Sequence, residues 1–461
     1  TMKDWRGQRV LILGAARQGL ALARYLSTKG AQVTLNDQRS VSQMAAVRAA
    51  NADLSINWVF GEHSLRLLDT ADLVCLSGGI PLTLPIVQEA LRRGLALTND
   101  TQIFMEAVPG PVIGITGSAG KTTTTTLVGR MAQAAVKSPR KAWVGGNIGM
   151  PLVDRLDEIQ PADLVVLEIS SFQLEQMTLS PQIAAVLNIT PNHLDRHGTL
   201  EAYTQAKARL LQYQTDQDVA ILTPDDGGSW NLRGMVAGRL ITFSLQHPPV
   251  GQSGTFSMEG KLWLYDGEKD LEILPLSAVM LRGMHNLYNV LAACAIAFAA
   301  GFPIDAMRSG IEGFGGVPHR LELVRTWRGS KWYNDSIATA PERTAAAIQS
   351  FNEPLVLLLG GRDKNLPWDD LAMLVHQRVD HVILFGEAAG LIQKAIGPVE
   401  LGRRPYSLEI CGTLQEAVQA AAQVSQPGDI VLLSPGGTSY DQFKDFEERG
   451  ESFRRWVNQL P

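Results

Sequence analysis

Lys121 and Thr122 close a glycine-rich turn, GITGSAGKTTTTTL (114–127), set between an apolar run and a helical pattern. Gly117 and Gly120, with Ser118 and Ala119 between them, let backbone amides close around phosphate oxygens. Lys121 would reach the β and γ phosphates of a nucleotide, and the hydroxyl of Thr122, with Thr123 beside it, would bind magnesium. Ile115 stands where the common phosphate-loop pattern has its first glycine, so the spacing is shorter. The alternative is a threonine-rich turn with a solvated lysine. Strand context, glycine spacing and the Lys-Thr pair together argue against it.

Other polar groups sit at strand ends. LEISSFQLE (167–175) releases Glu168 from a strand, followed by Ser170, Ser171 and Gln173. A carboxylate leaving a strand beside a phosphate loop is a natural magnesium ligand. NITPNHLDRHG (188–198) repeats the arrangement with His193 and Asp195, and Lys207 follows in the helical run EAYTQAKARLL. Taken alone, Lys207 reads as a surface lysine and His193 as a loop histidine. NDSIATAPE (334–342) places Asn334, Asp335 and Ser336 after a strand–turn–strand pattern, where ligands gather in α/β folds. LILGAARQGLA (11–21) has Gly14 and Gly19 of a dinucleotide fingerprint, but Ala16 replaces the middle glycine. Asp37 ends the next strand, about where a ribose-binding acid would sit. A structural tight turn fits equally well; in either case this unit could hold the diphosphate of a nucleotide.

The elements that position these residues are α/β. RVLILG, QVTLND and DLVCLSGG are apolar runs ending in Gly or Asp, interleaved with helical patterns, which predicts a parallel sheet. VPGP (108–111) punctuates the chain as a linker. A second segment holds VIGITG, DLVVLEIS and AAVLNIT. Residues 255–276 read as an antiparallel meander with turns at Glu-Gly and Asp-Gly, and a helix is expected from about Asn286 to Ala300. After FGGVPHR (314–320), PLVLLLGG, HVILFG and DIVLLSPGG give three more strand-then-glycine signals. The prediction is three α/β domains in series: 1–108 Rossmann-like, 109–316 P-loop ATPase-like with an added antiparallel sheet, and 317–461 Rossmann-like.

With 461 residues the chain has room for about three domains of ~150 residues. A hydrophobic content of 45% and a charged content of 19% are ordinary for a globular protein in water. A net charge of −5 argues against a nucleic-acid binder held by phosphate contacts. No apolar run reaches the ~18 residues of a membrane span, and a cytoplasmic location is expected. Cys75, Cys294 and Cys411 lie apart in apolar stretches, with neither metal nor disulfide spacing.

GSAGKTT, EISSFQL, NITPNHLDRHGTLEAYTQAK, MHNLYN (284–289), VPHR (317–320) and NDSIATA occur in the order and spacing of the Mur ligases. These are the ATP-dependent amino-acid ligases of peptidoglycan precursor synthesis. The resemblance spans essentially the whole chain. SPGGTSYDQFKDFEERG (434–450) is most similar to the branch that adds glutamate to UDP-N-acetylmuramoyl-L-alanine.

The resemblance implies roles. Lys207 would be carbamylated, because a buried lysine of lowered pKa can react with CO₂ and become a carboxylate-like anion. In that form it would bind a divalent cation beside His193 and Glu168, while Thr122 and the ATP phosphates complete another site. Two magnesium ions are implied, with manganese as an alternative. Lys121, Glu168, His193 and Lys207 are the implied catalytic set. Asn286, Arg320 and Asp335 would contact ATP, Asp335 at the ribose. The loops at Ala15, Arg17 and Gln18, at Asp37 and Arg39, and at Gly79 would hold the uridine diphosphate, with Asn147 and Ser170 close to substrate and metals. Thr339, Lys364, Ser439 and Phe446 match positions that bind the incoming glutamate. Simpler readings stay open: Phe446 in a helix core stripe, Ser439 as a helix cap, Arg39 as a solvated loop residue. The implied partners are the three small-molecule substrates, with no nucleic acid, and the chain is expected to be a monomer.

One departure bears on the substrate. The glutamate-adding branch usually has lysine at Ile337 and asparagine at Ala340. Either Lys364 and Arg362 supply the missing charge in a D-glutamate ligase, or the pocket takes L-glutamate as a variant branch does; the first is favoured. Rival readings are folylpolyglutamate synthase, a Mur ligase adding another residue, and, from a different class, a nucleotide-dependent switch or transport ATPase. A nicotinamide dehydrogenase leaves the phosphate loop unexplained.

Overall fold

Continuous apolar runs such as LVLLLG (355–360) have no polar face to turn to water, so the strands they form must be covered on both sides. Every residue of that run is buried, and burying one such Leu or Val side chain contributes roughly 1.5–3 kcal/mol. The computed structural model of the protein describes residues 4–77, 80–148, 151–190 and 197–461. It builds three sheets from such strands. The chain divides into two compact units, Thr1–Phe314 and Gly315–Pro461.

The first sheet has β1 (Arg9–Leu13), β2 (Gln32–Asp37), β3 (Asn57–Phe60), β4 (Leu73–Leu76) and β5 (Ala96–Asn99). The strands are parallel, in the order β3-β2-β1-β4-β5. The order reverses between β1 and β4, and the crevice at such a reversal is where open α/β sheets take ligands.

The second sheet, in the same unit, has β6 (Val112–Thr116), β7 (Ala142–Gly146), β8 (Leu164–Glu168), β9 (Ile183–Val186), β10 (Val219–Leu222), β11 (Arg239–Phe243), β12 (Gly254–Met258), β13 (Lys261–Tyr265) and β14 (Asp270–Pro275). Its order is β14-β13-β12-β11-β10-β9-β6-β8-β7. The pairs from β7 to β12 are parallel, and β12–β13–β14 form the expected antiparallel meander. β6 lies between β8 and β9, so the loops after these three strands open at one switch point. Helix Lys121–Ala135 follows β6 and packs against the alanine-rich helix Met284–Ala299.

The second unit has β15 (Glu322–Trp327), β16 (Ser330–Asn334), β17 (Leu355–Gly360), β18 (Val379–Phe385), β19 (Ser407–Cys411) and β20 (Ile430–Gly436), in the order β15-β16-β20-β17-β18-β19. Only the β15–β16 hairpin is antiparallel. The loops that follow β16, β20 and β17 therefore emerge side by side at one edge. All three cysteines are buried, and none forms a disulfide with another described residue.

Candidate active site

The phosphate loop leaves β6 at Thr116 and enters its helix through Gly120, which has φ +81°. Only glycine fits there: a Cβ would lie 2.1 Å from Asn289 Oδ1, besides the left-handed backbone. Asn289 in turn donates to Asn286 Oδ1 at 3.1 Å, so the asparagines of MHNLYN brace the loop from the helix behind it. The loop is also fastened in front. The Ser118 amide donates to Asn188 O at 3.0 Å, and the Ala119 amide to Asn188 Oδ1 at 2.8 Å. Ser118 Oγ donates to Thr190 O at 3.0 Å and accepts from Tyr203 OH at 3.0 Å. The amides of Ser118 and Ala119 thus hold the loop's own shape. The N–H groups of Lys121, Thr122 and Thr123, at the start of the helix, are the ones without intrahelical acceptors.

Lys207 is not a surface lysine. It is 1% exposed, and its Nζ donates to Gly117 O at 3.0 Å and Thr116 Oγ1 at 3.3 Å. Lys121 Nζ donates to the same Gly117 carbonyl at 2.9 Å. Burial, and then the charge of Lys121, push the Lys207 ammonium down to about 7. Glu168, 2% exposed, ends β8. Its Oε1 accepts from Asn147 Nδ2 at 3.3 Å, while its buried Oε2 has no hydrogen-bond partner among the described residues. A buried carboxylate oxygen without a donor fits a hard cation. Among the described residues no three His, Cys, Asp or Glu side chains converge as a metal cluster. A cation held here would rely on Glu168, on Thr122, on a modified Lys207 and on phosphate oxygens. His193 and Asp195 lie outside the described residues, as does Gly79.

A cavity of about 460 Å³ joins the two sheets of the first unit. Lys121, Asn147, Ser170 and Lys207 line it from the second sheet, and Ala16, Arg17 and Gln18 from the first. Ser170 is held by a reciprocal cap: its Oγ accepts from Gln173 N, and Gln173 Oε1 accepts from Ser170 N at 2.9 Å. At the first sheet, Gly19 lets the helix approach its own turn, since a Cβ would lie 1.9 Å from Gly14 O. Asp37 accepts the Ala15 amide at 2.8 Å and both Arg39 Nε and Nη2 at 2.8 Å. The Arg39 guanidinium holds the Asp37 carboxyl far below the usual carboxylate range. Asp37 therefore braces the Ala15 turn, and Arg39 is no freely solvated loop residue.

In the second unit, Asp335 is buried and accepts from Ser434 Oγ at 2.8 Å and Leu321 N at 3.1 Å. Burial raises its carboxyl to about 6, against those hydrogen bonds and the charges of Arg320 and Arg343. Lys364 Nζ donates to Thr339 Oγ1 at 3.1 Å. Ser439 does not cap the helix Phe446–Asn458; Asp445 does. Phe446 is the first residue of that helix, half-buried against His319, and not part of a core stripe. Arg362 makes a bidentate pair with Glu387 at 2.8 and 2.9 Å, so its charge is matched by an acid.

Profiles of known families match all three parts: the MurD-like N-terminal domain of Mur ligases over 8–99, the Mur ligase middle domain over 115–297, and the Mur ligase glutamate ligase domain over 319–437. A UDP-N-acetylmuramoylalanine–D-glutamate ligase of Symbiobacterium thermophilum is 40% identical over 453 residues, 98% of either chain. One of Koribacter versatilis is 39% identical over 458 residues, 99% of this chain and 98% of its own. The chain belongs to the Mur ligase family. Among solved Mur ligases, MurC of Thermotoga maritima superposes with a TM-score of 0.51 at 16% identity, over 98% of this chain and 100% of its own. MurF of Acinetobacter baumannii gives 0.51 at 19%, over 98% and 92%. These two share the three-domain α/β fold.

Within this Mur ligase the structure brings Lys121, Asn147, Ser170 and Lys207 to one cavity with Ala16, Arg17 and Gln18. Asn286 is linked to the helix after the phosphate loop through Asn289. Sequence reasoning missed Asn188 and Asn289, which shape the loop. It also missed His197, whose ring pairs with Glu175 at 2.8 Å and contacts Ser171 Oγ at 2.9 Å. All three sit within motifs already singled out; the signal was present but carried no position-specific chemistry.

Proposed function

We propose that the protein is an ATP-dependent amide-forming ligase that joins D-glutamate to UDP-N-acetylmuramoyl-L-alanine, releasing ADP and phosphate in peptidoglycan precursor synthesis. The observation that carries this reading is the shared cavity. A phosphate-loop lysine and the glycine turn of a nucleotide-type sheet face the same space, as transfer between ATP and a nucleotide-linked carboxylate requires. The near full-length similarity to D-glutamate ligases supplies the amino acid.

The alanyl carboxylate must be activated before an amine can attack it. The route is in-line transfer of the γ-phosphoryl group to that carboxylate, giving an acyl phosphate; the glutamate amine then adds and phosphate leaves. Such transfer rests on positioning and electrostatic stabilisation. Lys121 places positive charge on the phosphoryl oxygens, and the first N–H groups of helix Lys121–Ala135 receive phosphate. Glu168, Thr122 and Lys207 would hold magnesium, which when bound supplies further positive charge to the phosphates. Near neutral pH a large share of Lys207 is neutral amine, which adds CO₂ to give a carbamate and a proton. The first sheet would take the uridine diphosphate through Ala15, Arg17, Gln18, Asp37 and Arg39, and the second unit the glutamate through Thr339, Lys364, Ser439 and Phe446. Arg320 and Asp335 are assigned to ATP by family resemblance.

The test is ADP release by the purified protein with ATP, the sugar nucleotide and each glutamate enantiomer. Turnover is expected only with all three substrates, and with D-glutamate preferred. Steady ATP turnover without the sugar nucleotide and amino acid would overturn the ligase reading. Preference for L-glutamate would overturn the enantiomer and point to Ile337.

A further inference from the structure

Arg449 lies in the helix Phe446–Asn458 and has no solvent exposure. Its guanidinium donates from Nε to Ser336 Oγ at 3.0 Å, from Nη2 to Ser336 O at 2.9 Å and from Nη1 to Gly437 O at 3.0 Å. All three acceptors are neutral. Among the described residues no carboxylate lies within ion-pair distance of it. The charge of Asp441 acts on it from beyond that distance, and that carboxylate accepts the Glu387 amide at 3.1 Å. A buried charge without an ion-pair partner is normally eliminated or neutralised. Burial does push this group down, to about 10, yet it stays protonated at neutral pH.

Its place explains what the charge is for. Ser336 belongs to the loop after β16, which carries Thr339. Gly437 belongs to the loop after β20, which carries Ser439. The loop after β17, which carries Lys364, passes beside it: a Cβ on Gly361 would lie 2.9 Å from Arg449 Nη1. These loops are tied to one another, Gly436 N to Ala338 O at 2.9 Å and Thr438 N to Arg362 O at 2.8 Å. Ser336 Oγ also donates to Phe446 O at 2.8 Å. One guanidinium thus lies under the junction of the three loops that hold Thr339, Lys364 and Ser439, and its own helix opens with the fourth candidate acceptor residue, Phe446. The planar fork suits this geometry, because its N–H groups diverge in fixed directions toward separate chain segments.

We propose that Arg449 is a positioning residue of the amino-acid site, whose unmatched positive charge beneath the loops selects an acidic amino acid over a neutral one. This rests on the ligase reading and on the assignment of Thr339, Lys364, Ser439 and Phe446 to the acceptor. With lysine absent at Ile337 and Arg362 paired to Glu387, Arg449 is a fully buried cation of this loop cluster, and among the described residues neither it nor Lys364 lies in an ion pair.

The experiment compares the full-length protein with Arg449→Met and Arg449→Lys, measuring KM for ATP, sugar nucleotide and glutamate, and kcat/KM for glutamate against glutamine. Arg449→Met is expected to raise the glutamate KM about tenfold or more, leave the ATP KM within about twofold, and lower the glutamate-over-glutamine ratio. Arg449→Lys keeps the charge but not the fork, so it should raise the glutamate KM while retaining the ratio. An unchanged ratio in Arg449→Met, or equal losses for all three substrates, would overturn the proposal and leave a structural role. If Arg449→Met does not fold, loss of the ratio in Arg449→Lys overturns the charge argument. Wild-type protein without ligase turnover would instead overturn the ligase reading.

Discussion

At the scale of single residues, Lys207 couples burial to chemistry. Its folded-state value near 7 lies below the usual lysine value of 10.5. Between those pH values the unfolded chain binds more protons, so this group's contribution to stability improves as pH rises through that window. Below about 7 the buried ammonium weighs fully against the fold. Thermal melts should show Lys207→Met gaining on the parent at pH 6 relative to pH 9.5. The same variant should lose about 10²-fold or more in kcat, the scale of removing a preorganised electrostatic group. Depleting CO₂ and bicarbonate should slow the parent, and unchanged activity on depletion would exclude the carbamate. Gly120 makes a second prediction. Alanine there meets a left-handed backbone, costing roughly 1–2 kcal/mol, and displaces Asn289. ATP KM in Gly120→Ala should rise about tenfold, read by ADP release.

At the scale of elements, the phosphate loop is a strand–turn–helix whose turn is fixed from outside. Asn188, at the end of the neighbouring strand, takes the Ala119 amide and returns a bond to Ala119 O at 3.1 Å. Asn188→Ala removes both at a cost of about 1 kcal/mol each. Its ATP KM should rise while the sugar-nucleotide KM stays near that of the parent; an unchanged ATP KM would show that the loop keeps its shape alone. Asn289 and Tyr203 act in the same sense from other sides. The loop is therefore less a property of its seven residues than of the three elements around it.

At the scale of the whole molecule, buried acids set the pH response. Asp100, at the start of helix Asp100–Ala107, is buried, and that burial raises its carboxyl to about 6; Asp335 in the second unit reaches about 6 for the same first cause. A folded-state value above the unfolded one gives stability that is complete below about pH 4 and is lost as pH rises through 6. Asp100→Asn is neutral throughout, so its melting temperature should match the parent near pH 4 and exceed it by about 3 °C at pH 7.5. A constant difference across that range would mean that Asp100 is held by its hydrogen bonds and not by its charge state.

What the sequence determined by itself was local. Strand–glycine–helix boundaries, the meander at 255–276 and the phosphate loop follow from periodicity and turn chemistry within about a dozen residues. So do the motifs that carry the family resemblance. The tertiary structure decided burial and partnership. A lysine in EAYTQAKARLL has the pattern of a solvated one, and only packing across 90 residues puts its ammonium on Gly117. Arg362 finds Glu387 across 25 residues, while Arg449 makes its hydrogen bonds to neutral groups and, among the described residues, no ion pair. Asp37 spends its carboxylate on Arg39 and on Ala15, 22 residues away. Charge type is written in the chain, but whether a charge is matched, and in what dielectric it sits, depends on segments far apart in sequence.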